Sequence, residues 1–237
     1  MFEFKNFSYT APNGRKILKN ISLTIDDRFV AITGPNGSGK STMAKLIAGI
    51  IIPTEGEIFF DGENITEMGI TERAKAGISF AFQQPVRFKG ITVKDLISLA
   101  AGTKISIASA CEYLSEVGLC AKEYINREVN ASLSGGELKR IEIAMINARS
   151  TKLSVFDEPE AGIDLWSFNN LIKVFENMHE RTKGNILIIS HQERILDIAD
   201  KIVVIADGKV AQIGSKAEIL PTLLAPTGCR YTAKEVN

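Results

Sequence analysis

The chain has 237 residues, 45% of them hydrophobic and 24% charged, which suffices for one large domain or two small lobes and argues against disorder. Its 28 acidic and 28 basic residues cancel, and there is no dense Lys/Arg run, so a DNA or RNA partner is disfavoured. The longest apolar stretches fall well short of the roughly 20 residues that span a bilayer, and charges interrupt the start of the chain where a signal peptide would be apolar. We therefore expect a cytoplasmic protein without direct membrane insertion.

The first part of the chain is typical of short strands. Apolar and β-branched runs predict strands at 2–8, 21–25, 29–33 and 57–60, the last followed by an Asp-Gly turn. The simplest arrangement is an antiparallel lobe.

A phosphate-binding pattern follows the strand at 29–33. Residues 34–41 read Gly-Pro-Asn-Gly-Ser-Gly-Lys-Ser, and a helical pattern begins directly afterwards. Glycines allow backbone N–H groups to turn around phosphate oxygens, while Lys40 supplies a cation and Ser41 a hydroxyl for Mg²⁺. The pattern predicts ATP and Mg²⁺ as ligands, with nucleotide contacts from Gly34, Pro35, Asn36, Gly37, Ser38, Gly39, Lys40, Ser41 and Thr42.

The rest of the chain alternates strands and helices. A strand at 78–82 ends at Gln83-Gln84-Pro85, helical spacing dominates 86–130, and strands return at 153–156, 186–189, 201–205 and 210–213. This predicts an α/β fold: a P-loop core with a mainly parallel sheet (1–85 and 151–237), an antiparallel β lobe and an inserted helical subdomain (86–150) within a single domain. The phosphate loop, Gln83, Asp157 and His191 should share one rim.

Two carboxylates, Asp157 and Glu158, end the strand at 153–156. A buried strand rarely finishes in two acids without a function. Beside a phosphate loop, the first acid can hold Mg²⁺, together with Ser41, and the second can accept a proton from the attacking water.

Leu133 and the segment Ser134-Gly135-Gly136-Glu137 open a further predicted helix between the phosphate loop and the two acids. At this position it resembles the signature sequence of the ATP-binding cassette (ABC) ATPases, a resemblance that covers nearly the whole chain. One loop shields the phosphates on one side only, so the signature of a second copy would complete the site across an ATP-bound homodimer.

The resemblance implies further roles. Tyr9 would stack on adenine, Asp164 would contact the second subunit, and His191 would lie near the γ-phosphate as the switch histidine. Gln83 would join the two lobes and reach the metal; Gln84 is its rival, and the aromatic-Gln pairing after Phe82 favours Gln83. One departure is Asp27-Arg28, where many members have Gly-Glu; it weakens no catalytic assignment.

Four segments (81–86, 140–144, 157–164 and 190–196) are similar to the ATPase of the Suf iron–sulfur cluster assembly system. This resemblance implies a soluble SufB- or SufD-like scaffold that docks on the helical insertion near Gln83. The alternatives are the ATP-binding subunit of a membrane ABC transporter, with the same chemistry, and a nucleotide-regulated interaction module with negligible turnover. Three scattered cysteines, Cys111, Cys120 and Cys229, predict no zinc site, disulfide framework or resident cluster.

Overall fold

The computed structural model describes residues 1–84, 86–130, 132–149, 151–181 and 183–224; Pro85 and Cys229 lie outside them. The strands are β1 Phe2–Thr10, β2 Lys16–Ile25, β3 Phe29–Thr33, β4 Glu55–Phe60, β5 Glu63–Asn64, β6 Ile78–Ala81, β7 Leu153–Asp157, β8 Asn185–Ile189, β9 Lys201–Ala206 and β10 Lys209–Ser215. The helices are α1 Lys40–Ile47, α2 Ile70–Ala76, α3 Val93–Ala101, α4 Ile107–Glu116, α5 Ala121–Tyr124, α6 Gly135–Arg149, α7 Leu165–Arg181, α8 Glu193–Asp197 and α9 Lys216–Leu224.

A six-stranded sheet forms the centre of the fold. Its order is β10-β9-β3-β8-β7-β6, and every pair is parallel except β10 with β9. The central strands β3, β7 and β8 are buried almost throughout, as expected of a parallel sheet covered on both faces. Their carboxyl ends form the edge where a ligand is expected.

A second, four-stranded antiparallel sheet has the order β2-β1-β4-β5. It contains three of the four strands predicted in the first part of the chain. The fourth, β3, leaves this lobe and enters the parallel sheet between β8 and β9. Helix α1 then packs between the two sheets, in a core that includes Phe7, Met43 and Leu187.

The opposite face of the six-stranded sheet is covered by helices. Side chains of α3, α4, α6 and α7 share one core with the buried strand residues Phe29, Phe156 and Ile188. Among residues 86–130 and 132–149, helices α3 to α6 account for the regular structure, apart from an isolated bridge between Thr92 and Glu128. The division into a core and an inserted helical subdomain stays a prediction, since this packing is continuous. Among the described residues, no helix is long and apolar enough to cross a membrane.

Arg73 on α2 is fully buried and connects α1 to the antiparallel lobe. Its guanidinium donates to the carbonyls of Leu46 and Ile47 in the last turn of α1, and to those of Ile65, Thr66 and Met68. Burial lowers the pKa of Arg73 to about 10. This cation therefore donates to helix-terminal carbonyls of α1, of which Leu46 O also accepts from Gly49 N at 3.2 Å.

The Asp27-Arg28 pair anchors the start of β3. Lys201 of β9 forms an ion pair with Asp27, and Arg28 donates to the backbone carbonyl of His179 in α7. These contacts explain how charged residues fit at this turn.

Candidate nucleotide site

The phosphate loop depends on two glycines whose backbones are left-handed. Gly34 has φ +138°, and a Cβ there would lie 2.0 Å from the carbonyl oxygen of Ile205. Gly39 has φ +106°, and a Cβ would lie 2.6 Å from Leu18 Cδ2. The loop is thus pressed between β9 and the antiparallel lobe, where only glycine fits.

Inside the loop, Lys40 Nζ donates to the carbonyl oxygens of Gly34 (2.8 Å) and Pro35 (3.1 Å), which places the ammonium within the ring of backbone groups. The buried Ser38 Oγ has no hydrogen-bond partner among the described residues. A phosphate oxygen would supply the acceptor that this hydroxyl lacks. The loop borders a cavity of about 470 Å³, lined by Arg15, Ile17, Asn36, Gly37, Gly39, Lys40, Ser41, Thr42 and Glu158.

Asp157 lies at the carboxyl end of β7, next to the start of α1. Its Oδ1 accepts a hydrogen bond from Ser41 Oγ at 3.1 Å. Burial raises the pKa of Asp157, with the neighbouring Glu158 adding to the rise and the Ser41 hydrogen bond opposing it. A cation would stabilise this buried carboxylate, so the Ser41–Asp157 pair fits Mg²⁺.

Glu158 turns the chain away from β7. Its φ of +47° is left-handed, a rare conformation for a residue with a side chain, and its N–H donates to Ile189 O at 2.9 Å. Glu158 Oε2 accepts a hydrogen bond from Gln83 Nε2 at 2.7 Å. The structure thus brings Gln83, two residues after β6, to the acid that lines the phosphate cavity; Gln83 and Gln84 are both exposed.

His191 follows β8 on the same edge of the sheet, but it is exposed and does not line the phosphate cavity. The neighbouring residue Ser190 is buried and anchors this segment. Its Oγ donates to Glu160 Oε1 and accepts from Gln192 N at 3.0 Å. Burial raises the pKa of Glu160. The Glu160–Ser190 contact thereby fixes the turn that carries His191 to the turn that carries Glu158.

The signature segment caps α6. Ser134 Oγ accepts from Glu137 N at 3.2 Å, and Glu137 Oε2 accepts from Ser134 N at 2.7 Å, a reciprocal capping box. Ser134 and Gly135 are exposed, whereas Gly136 is buried, and none of them lines the chain's own phosphate cavity. The exposed helix start is available to a ligand from outside the chain.

Tyr9 is half-buried on β1 and packs against the core around α1. Arg15 and Ile17 line the cavity, and they were not predicted from the sequence. The Asn13-Gly14 turn after β1, in which Asn13 Oδ1 accepts from Arg15 N, is the local signal that could have indicated them. The adenine contact of Tyr9 stays a prediction. The same holds for Asp164, which is exposed and whose Oδ1 accepts from Ser167 N at the start of α7 (3.0 Å).

Three further charged residues near the site were not found from the sequence: Lys139, Glu142 and Glu160. Lys139 and Glu160 are buried and Glu142 is half-buried, and all three lie beside Phe82 or the acids at the end of β7. No local pattern marks them, because each is defined by a contact with a segment distant in sequence.

Comparison with known proteins settles the family. The family described as "ABC transporter" matches residues 18–161. The chain belongs to this ATP-binding cassette family. An uncharacterized ABC transporter ATP-binding protein of Methanocaldococcus jannaschii is 40% identical over 215 residues, covering 86% of this chain and 85% of that protein. A probable ATP-dependent transporter, ycf16, of Pyropia yezoensis is 34% identical over 224 residues, covering 87% and 88%.

The fold agrees with this assignment. A dimeric ATP-binding cassette, solved in a post-hydrolysis state bound to ADP and Pi, superposes with a TM-score of 0.80 at 26% identity, covering 91% of this chain and 99% of that one. The predicted α/β fold with a P-loop core is confirmed. The chain is an ABC-type ATPase, which binds ATP and converts it to ADP and phosphate.

Proposed function

We propose that two copies of this chain hydrolyse Mg²⁺·ATP at sites shared between them. The observation that carries this proposal is the Gln83–Glu158–Asp157–Ser41 arrangement at the edge of the phosphate loop. Glu158 is the general base that takes the proton of the attacking water, and Gln83 orients it. Lys40 binds the β- and γ-phosphates, together with the loop's N–H groups and the hydroxyl of Ser38.

Ser41 and Asp157 are the proposed protein ligands of Mg²⁺. Gln83, whose side-chain amide contacts Glu158, is the third residue proposed to reach the ion. When bound, the ion neutralises charge on the β- and γ-phosphates. Among the described residues there is no cluster of three or more metal-ligating His, Cys, Asp or Glu side chains. Mg²⁺ is commonly held by one or two protein ligands together with phosphates and water, and Ser41 and Asp157 would be those two ligands.

The second copy would complete the site with its exposed signature segment. Ser134 and Gly135 start helix α6 but stand outside their own chain's cavity. The α6 N-terminus would bind the γ-phosphate held by the other chain's loop, with Asp164 contacting the partner and His191 approaching the same phosphate. Hydrolysis would then weaken the contact between the copies.

The work done by this cycle requires a partner, and an apolar groove offers a place for it. The groove has a volume of about 420 Å³, lies between β6, α3 and α6, and is lined in part by Phe82, Val86, Leu99 and Met145. Phe82, Val86 and Leu99 are 43%, 50% and 69% exposed, although they are large and apolar. We propose that this groove receives a soluble iron–sulfur assembly scaffold of the SufB or SufD kind, as the similarity of segments 81–86, 140–144, 157–164 and 190–196 suggests.

The second candidate partner is a membrane-embedded transporter subunit. The names of both relatives, an ABC transporter ATP-binding protein and a probable ATP-dependent transporter, favour it. The chemistry of the nucleotide site is the same in both cases, so the partner alone discriminates between them.

The first test addresses the base. Glu158→Gln should lower kcat by on the order of 10²-fold or more, because the amide accepts no proton, while ATP binding persists. Turnover is measured by phosphate release, and dimer formation with ATP by gel filtration. Near-normal turnover would remove Glu158 from this role.

The second test addresses the partner. The tagged wild-type chain should capture a soluble scaffold from native extract, and Leu99→Asp should lose it because a buried carboxylate cannot be paired in the apolar groove. Glu112→Ala, an exposed change on α4, is the control. Capture of an integral membrane protein that likewise depends on Leu99 would establish the transporter alternative instead.

A further inference from the structure

The backbone N–H and C=O of Phe82 are both held by side chains of one helix. Phe82 N donates to Glu142 Oε1 at 3.2 Å, and Phe82 O accepts from Lys139 Nζ at 2.7 Å. Lys139 and Glu142 stand three residues apart on α6, so they lie on one face of the helix. We call these two contacts the Phe82 clamp.

The charged groups of the two clamp residues are shielded from water, which is costly, although Glu142 as a whole is half-buried at the edge of the groove. Lys139 is 2% exposed, and burial lowers its pKa. The second carboxylate oxygen of Glu142 is buried and has no hydrogen-bond partner among the described residues, and burial raises the pKa of Glu142 to about 7. Apolar side chains of similar size would pack here at a lower cost in free energy. A role in holding the peptide accounts for two buried charges at these positions.

The held peptide leads directly into the site. Phe82 follows the last residue of β6 and precedes Gln83, whose side-chain amide donates to Glu158. Phe82 is 43% exposed, so burial of its side chain alone does not fix this segment. Its backbone is fixed instead by α6, the helix that begins with the signature segment.

We propose that Lys139 and Glu142 are positioning residues for Gln83. By holding the backbone N–H and C=O of Phe82, they keep the Gln83 amide within hydrogen-bond distance of Glu158. This inference rests on the proposed roles of Gln83 and Glu158. Helix α6 would then connect the two sites of the dimer. Its start would meet the ATP bound by the second copy, while its next turns hold Phe82 and thereby position the chain's own Gln83. Phe82 and Glu142 also line the apolar groove, so a partner seated there touches the same clamp.

The test compares three substitutions. Glu142→Met removes the acceptor of Phe82 N–H and should lower kcat about 10-fold, while KM for ATP changes less than about 2-fold, since Gln83 acts after ATP is bound. Glu142→Gln keeps a carbonyl acceptor in the same place and should restore most of the turnover. Glu116→Met is the matched control: Glu116 also contacts α6, through Asn147 at 3.4 Å, but on the side away from Phe82. Its kcat should equal that of the wild type.

A double-mutant cycle with Gln83→Ala separates positioning from general stability. Once the Gln83 amide is absent, Glu142→Met should cause no further fall in kcat, because the clamp has nothing left to position. Lys139→Met tests the carbonyl side of the clamp in the same cycle and keeps the inference testable if Glu142→Met does not fold.

The outcomes distinguish the inference from the proposed function. If Gln83→Ala leaves kcat unchanged, the proposed role of Gln83 is wrong and the inference falls with it. If Gln83→Ala lowers kcat but the clamp substitutions lower it equally in both backgrounds, or not at all, the positioning inference alone is overturned.

Discussion

Glu142 is a carboxyl group whose ionisation opposes folding. Its pKa is raised from 4.5 to about 7, chiefly by burial, with the positive charge of Lys139 and the hydrogen bond from Phe82 opposing the rise. Between these two values the folded chain binds more protons at this site than the unfolded chain does. The free energy of unfolding should therefore fall as pH rises from about 4.5 to about 7, and stay lowered above that range.

Glu142→Gln makes this prediction measurable, because glutamine keeps the Phe82 hydrogen bond but does not titrate. Relative to the wild type, the variant should gain about 1–3 kcal/mol of unfolding free energy between pH 5 and pH 8. Urea unfolding of both proteins at four pH values in this range measures the difference. Parallel stability profiles would show that Glu142 does not titrate as described.

At the scale of elements, the phosphate-loop helix depends on a buried cation at its far end. Arg73→Met would remove a buried donor from five backbone carbonyls, two of them in the last turn of α1. Leu46 O and Ile65 O would keep the backbone donors Gly49 N and Met68 N. We expect the free energy of unfolding to fall by about 3–5 kcal/mol, as is typical when one side of a buried charged contact is removed.

The control for Arg73 is Arg149, an exposed arginine that donates to the carbonyl of Ala74 in the same helix α2 at 2.8 Å. Arg149→Met should cost less than about 1 kcal/mol, because water can replace its hydrogen bond. Chemical denaturation gives both values. Equal losses for the two variants would contradict the special role of the buried arginine.

Elements with a local signal were predictable from the sequence. Strand β3, the loop after it and helix α1 follow from an apolar run, ordered glycines and helical periodicity, and β7 follows from an apolar run that ends in acids. The strand predicted at 78–82 ends one residue earlier, at Ala81. Phe82 leaves the sheet because its backbone N–H and C=O bond to the side chains of Glu142 and Lys139, 60 and 57 residues away.

The contacts that the sequence did not reveal are the non-local ones. Arg73, Glu160 and Lys139 carry charges that a sequence pattern would place in solvent, yet all three are buried against backbone or side-chain groups of other segments. A charged residue can be recognised as interior only when the fold shows which polar groups lack another partner. The chemistry of the phosphate loop was therefore predictable from the sequence, whereas the buried charged contacts that hold the surrounding segments in place were not.

At the scale of the whole molecule, the proposed shared site takes its two halves from different places on each chain. The loop, Ser41 and Glu158 line one cavity, and Asp157 accepts a hydrogen bond from Ser41 beside it, while the exposed start of α6 lies outside the cavity. A site completed by a second copy therefore requires a symmetric pair, in which each loop faces the other chain's α6.

This geometry predicts complementation between inactive variants. Lys40→Ala removes the phosphate cation, and Ser134→Arg blocks the exposed start of α6; each homodimer should lose activity by on the order of 10²-fold. In a mixed dimer one site inherits both defects, and the other combines an intact loop with an intact α6. Equal mixing should restore about a quarter of wild-type turnover, since half of the dimers are mixed and each has one intact site.

The control pair places both defects in the same half-site. Lys40→Ala mixed with Asp157→Asn leaves every loop defective, because Lys40 and Asp157 serve the same cavity within one chain. Turnover measured by phosphate release should stay at the level of the separate variants. If turnover also recovers in the control pair, Lys40 and Asp157 do not belong to one half-site of the same chain. If turnover recovers in neither mixture, each chain hydrolyses ATP alone and the signature segment acts within its own chain.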